Sequence, residues 1–165
     1  MVDDQNCLFC KIIKKEIPAE IVYEDNSTLA FLDINPRNPG HVLVIPKNHY
    51  GDIFEINDSE LRELIVSVKR LAVASKDGMK ADGVSISQSN GAAAGQVISH
   101  LHFHVIPRFE SEGPQGLEAI LPTKKMTNEM LSEVKSAIMG SLQNGPPSGE
   151  SEAPARKKEE DPFGF

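Results

Sequence analysis

Apolar positions along this chain recur with two periods. Ile21-Val22-Tyr23-Glu24 and Thr28-Leu29-Ala30-Phe31-Leu32 read as strands on either side of Asp25-Asn26-Ser27, a hairpin turn. His41-Val42-Leu43-Val44-Ile45-Pro46 reads as a strand of the buried type, entered through Asn38-Pro39-Gly40 and closed by a proline. Val84 to Gln88 alternates in the period-two manner, and His100 to Pro107 alternates more cleanly still. Leu61, Leu64, Ile65, Val68, Leu71 and Ala72 follow the i, i+3, i+4 spacing of a helix, with Asp58 or Ser59 as its cap and Gly78 as its stop. A weaker stripe, Met130, Leu131, Val134, Ala137 and Ile138, predicts a second helix from Thr127 or Asn128. Five strands and two helices predict an α+β domain with a mainly antiparallel sheet. The folded part is expected over 1–143. Residues 144–165, rich in Pro, Gly, Ser and charge, have too few apolar side chains to offset the entropy of ordering them.

Composition narrows the function classes. The 165 residues suit one domain with a real core. No apolar run approaches the roughly 20 residues that cross a bilayer, so no membrane role is expected. Met1-Val2-Asp3-Asp4-Gln5 lacks the basic start and apolar stretch of a secretory signal, which makes a cytoplasmic location the expectation. The net charge of −7 argues against nucleic acid as a partner while leaving room for a small phosphate ligand. The two cysteines, Cys7 and Cys10, are spaced as half a metal site or a redox pair.

Three of the five histidines stand at His100, His102 and His104. On a strand this alternation puts the imidazoles on one face, about 6.6 Å apart, and Leu101, Phe103 and Val105 on the other. Such a row serves either a metal ion or nucleophilic catalysis by one imidazole. The preceding Asn90-Gly91-Ala92-Ala93-Ala94-Gly95-Gln96 favours the second, because a small-residue loop lets backbone N–H groups approach a phosphate.

Gly95-Gln96-Val97-Ile98-Ser99-His100-Leu101-His102-Phe103-His104-Val105-Ile106-Pro107-Arg108 resembles the signature of the histidine-triad (HIT) superfamily. The blocks at Leu8–Ile13, Glu16–Ala19, Ala30–Ile34 and Gly40–Lys47 are similar to HIT blocks in the right order, so the resemblance spans roughly residues 7–108. It implies a HIT-like fold, a homodimer and nucleotidyl transfer to His102. His104 and His41 match the flanking histidines, whose protonated forms would stabilise phosphoryl charge. Gln96 matches a glutamine near the scissile bond, and Asn90 with the backbone of Gly95 and Val97 matches the phosphate cradle. Asp33 matches a ribose-binding carboxylate, and Phe9, Ile12, Phe31 and Ile34 match the slot for the base. Val97 departs from the phosphoramidate-cleaving branch, which has a hydroxyl residue there.

Some members resembling this chain hold a structural zinc ion, and the resemblance implies Cys7, Cys10, His49 and His100 as its ligands here. The implied function is hydrolysis of AMP-type purine nucleotides, adenosine phosphoramidates or dinucleoside polyphosphates, with release of AMP. The alternative is a nucleotide-binding regulator with vestigial hydrolysis, for which a damaged triad would speak. The triad here is intact.

Overall fold

The computed structural model describes residues 5–113 and, beyond them, residues 127, 129, 132, 134–136 and 139. The chain divides into two units, Met1–Gln115 and Gly116–Phe165. In the second, Glu129, Ser132, Val134, Lys135, Ser136 and Met139 are helical, within the segment where the weaker stripe predicts a helix. Met130, Leu131, Ala137 and Ile138 of that stripe lie outside the described residues, as does the tail from 144 to 165.

The first unit runs α1 (Leu8–Ile13), β1 (Ile21–Glu24), β2 (Thr28–Leu32), β3 (Val42–Pro46), α2 (Asp58–Met79), β4 (Gly83–Ser87) and β5 (Phe103–Arg108). Its strands form one five-stranded sheet in the order β1-β2-β3-β5-β4, antiparallel at each pairing. No helix among the described residues is long and apolar enough to cross a membrane.

The central strands are covered on both sides, which explains their unbroken apolar runs. Ala30, Val42 and Val44 pack with Leu101, Phe103 and Val105 against Leu64, Val68 and Leu71 of α2. Leu29, Phe31, Leu43 and Ile45 point the other way, into a cluster with Cys7, Phe9, Cys10 and Ile12 around α1. Val44 and Ile45 are both fully buried, and each such side chain contributes about 1.5–3 kcal/mol.

Helix α2 is capped one residue earlier than predicted, by Asn57. Asn57 accepts the Glu60 N–H at 3.0 Å, because it is the first of three consecutive residues able to cap. The helix passes through Gly78 and stops at Lys80, which takes the left-handed conformation while Ala81 N–H closes onto the Lys76 carbonyl. Helix α1 lies where the pattern predicts no element. Two strands start late: β3 at Val42 instead of His41, and β5 at Phe103 instead of His100.

Candidate active site

The segment that enters β5 is not a strand because its backbone groups have other partners. Leu101 N–H donates to the Tyr50 carbonyl at 2.6 Å, and the His100 carbonyl faces Nδ1 of His102 at 2.6 Å. The side-chain alternation nevertheless persists. Leu101, Phe103 and Val105 enter the cluster under α2, while the rings of His100 and His102 lie edge-on against Phe9 of α1. His104 follows on β5, its ring 5.0 Å from that of His102.

Hydrogen bonds fix the tautomers. His102 donates Nδ1–H to the His100 carbonyl, so in the neutral ring the lone pair is on Nε2. Arg37 N–H donates to Nδ1 of His41 at 3.1 Å, which places the His41 proton on Nε2. That proton is donated to Nδ1 of His104 across 2.9 Å and leaves His104 with its own N–H at Nε2. Asp33 Oδ2 stands 3.6 Å from His41 Nδ1, beyond hydrogen-bond range, and Oδ1 accepts the Asn35 N–H.

Burial favours the neutral form of both flanking imidazoles, so stabilisation of phosphoryl charge by their cations is disfavoured in this structure. Burial pushes His104 down to about 4, helped by the neighbouring imidazoles and Arg37 and opposed by Asp33. Burial also lowers His41, with Arg37 adding to the effect and Asp33 opposing it. Each therefore acts as a dipolar N–H donor.

The loop before the triad is built largely from its own polar groups. Gln96 accepts Gly91 N–H at Oε1 (2.7 Å) and donates both Nε2 hydrogens, to Gly51 and Ile98 carbonyls at 2.6 and 3.0 Å. Its carboxamide thus shapes the loop in this structure. Asn90 is tied to Gln88 twice and accepts Ile53 N–H at 2.9 Å. Gly95, left-handed at φ 86°, gives its N–H to the Ala92 carbonyl, so of the two expected cradle amides only Val97 N–H lacks an acceptor among the described residues. The Val97 side chain is 89% exposed.

The expected base slot divides. Phe9, Ile12 and Phe31 are buried in the α1 cluster, whereas Ile34 is 88% exposed. Arg37, Gln88 and the Tyr50 and Pro46 carbonyls are parts of the site that the sequence pattern does not mark. Gln88 alone left a trace there, as a polar strand end two residues before Asn90.

Beside the triad, Cys7, Cys10, His49 and His100 bring four ligand atoms within 4.8 Å of one another. His100 donates Nε2–H to the Pro46 carbonyl at 2.9 Å and turns Nδ1 to the sulfurs of Cys7 and Cys10, at 3.4 and 3.6 Å. His49 Nδ1 meets Cys10 Sγ at 3.3 Å. Tetrahedral zinc with ordinary Zn–S and Zn–N lengths needs S···N edges of about 3.6 Å. The donor set therefore fits zinc, and His100, though not His49, makes the second-nitrogen hydrogen bond that orients a ligating imidazole. No disulfide joins the two cysteines.

Comparison with known proteins places this geometry in context. Residues 14–111 match the family described as HIT domain. An uncharacterised HIT-like protein of Methanocaldococcus jannaschii is 48% identical over 81% of this chain and 99% of its own length. An adenosine 5′-monophosphoramidase of Saccharomyces cerevisiae is 37% identical over 85% of each chain. The crystal structure of a histidine triad nucleotide-binding protein from Candida albicans superposes with a TM-score of 0.73 at 34% identity, covering 84% of this chain and 99% of that one. The match over residues 14–111 and these identities show that the chain belongs to the HIT-domain family.

Proposed function

We propose that this protein hydrolyses AMP derivatives through a nucleotidyl-His102 intermediate. The observation that carries the reading is the 2.6 Å bond from His102 Nδ1 to the His100 carbonyl, which holds the ring and leaves Nε2 as the attacking nitrogen. Its lone pair attacks the α-phosphorus, and the leaving group departs with the bonding electron pair. The Nδ1–H stays on the carbonyl and disperses the positive charge of the substituted ring. Water then attacks the same phosphorus and the P–Nε2 pair returns to the imidazole. The water's proton balances the leaving group, giving AMP and HX. His104 Nε2–H and Val97 N–H are the donors for the phosphoryl oxygens, and Asp33 Oδ2 is the acceptor for ribose hydroxyls. Gln96 and Asn90 position the loop. Phe9, Ile12, Phe31 and Ile34 bound the base.

Cys7, Cys10, His49 and His100 hold zinc in this reading, and the bound ion supplies cross-linking of α1 to the segment before β5. A second copy covers the face where Ile65 and Val73 of α2 and Ile86 of β4 are exposed, and the protein works in the cytoplasm. Adenosine 5′-phosphoramidate and diadenosine polyphosphate are the test substrates. AMP release that disappears in His102→Ala is the expected result, and the faster substrate defines the leaving group. AMP binding without release would instead favour a nucleotide-binding regulator.

A further inference from the structure

Arg37 sits on the turn that leads into His41 and β3. The turn is closed by the Asp33 N–H on the His41 carbonyl and the His41 N–H on the Asn38 carbonyl, both at 3.0 Å. Asn38 Nδ2 ties it to the Pro107 carbonyl at 2.8 Å, and Ser75 of α2 donates to the Gly40 carbonyl at 2.9 Å. Within this fixed turn the Arg37 N–H donates to Nδ1 of His41 at 3.1 Å, so its side chain starts at the rim of the histidines. The residue is exposed, and among the described residues its guanidinium has neither an ion pair nor a hydrogen bond. Asp33 leaves it unpaired, because Oδ1 accepts the Asn35 N–H and Oδ2 faces His41 at 3.6 Å. The charge still reaches the site. Burial is the main cause of the lowering of His41 and His104, and Arg37 adds to it at both rings.

The rings form a row, 5.0 Å from His102 to His104 and 5.1 Å from His104 to His41. The register of β3 on β5, Leu43 opposite His104 and Val42 opposite Val105, carries His41 past His104 and away from His102. Arg37 therefore stands at the end of the row remote from the attacking ring. Displacement at phosphorus proceeds roughly in line, so the leaving group departs on the side away from His102. A forked, permanently charged guanidinium there suits phosphate oxygens and has nothing to offer an amine. We infer that Arg37 is a specificity-determining residue that binds the β-phosphate of an anionic leaving group, so that nucleotides carrying further phosphates on the α-phosphorus are preferred over phosphoramidates. Attack then breaks the bond from the α-phosphorus to the bridging oxygen, which keeps the electron pair, and the guanidinium stabilises the charge gathering on the departing phosphate. This inference rests on His102 being the nucleophile, and its test keeps the two apart.

The full chain and its Arg37→Gln and Arg37→Lys variants are given adenosine 5′-phosphoramidate and diadenosine tetraphosphate, and kcat/KM is measured for each. Glutamine keeps the backbone N–H that His41 accepts and removes the charge. In Arg37→Gln the ratio of tetraphosphate to phosphoramidate kcat/KM should fall on the order of 10- to 100-fold, as for loss of a charge-assisted hydrogen bond. Arg37→Lys should recover part of it. Added salt should lower the ratio in the wild type more steeply than in Arg37→Gln. A ratio unchanged by Arg37→Gln, whether both substrates suffer equally or neither does, would overturn the inference. Binding gives a second readout in a His102→Ala background, which lacks the attacking nitrogen. There calorimetry should find ATP bound more tightly than AMP, and Arg37→Gln should remove the difference. Equal affinities at the outset, or a difference that survives Arg37→Gln, overturn the inference. An ATP preference that depends on Arg37, in a protein that releases no AMP from either substrate, supports the polyphosphate recognition while removing the hydrolase reading.

Discussion

Gln96 holds its loop through two donated bonds and one accepted bond, so reversing its polarity is more damaging than removing it. Gln96→Ala should cost about 1–2 kcal/mol in urea denaturation. Gln96→Glu should cost more and slow AMP release further, since a carboxylate would face the Gly51 and Ile98 carbonyls. The histidines set a pH dependence of defined sign. His104, at about 4, and His41, lowered by burial, both bind protons more weakly when folded than an unfolded histidine near 6.5. The unfolded chain therefore takes up more protons between about pH 6.5 and 4, and stability falls as pH drops through that window. It is level with respect to these groups above it. Urea midpoints measured across pH should show this slope, and His104→Gln should reduce it.

At the scale of elements, α2 rests on its first turn. Asn57→Ala removes the cap on Glu60 N–H and should lower stability by about 1 kcal/mol, whereas Asn57→Asp should keep it. The α2 stripe, the five strands and the role of Leu101, Phe103 and Val105 were legible because side-chain periodicity reports burial directly. Asn57, Asp58 and Ser59 are chemically equivalent as caps, so the choice among them awaited the geometry of the preceding loop. Helix α1 was not legible, since six residues are under two turns and show no repeat. The triad and the C-x-x-C pair were readable as residue types. The contact of the His100 carbonyl with His102, and the engagement of Gly95 N–H in its own turn, were not, because backbone groups leave no mark on the residue sequence.

For the whole molecule, the exposed apolar face of α2 and β4 predicts assembly. Light scattering should give twice the monomer mass, and Ile86→Lys should give a folded monomer, because Ile86 is 51% exposed and stands on an edge strand. Chelation should lower the apparent Tm, and added zinc should raise it, in proportion to ligand linkage. The four candidate ligands are also far apart along the chain. Cys7 and His100 are separated by 93 positions. At ribosomal rates of about 5–20 residues per second, the two thiols emerge roughly 5–20 seconds before their last partner. Until then the two thiols lack their last partner and are open to oxidation or to a soft metal such as copper(I), so a reducing, copper-poor medium should raise the yield of zinc-loaded protein in cell-free synthesis.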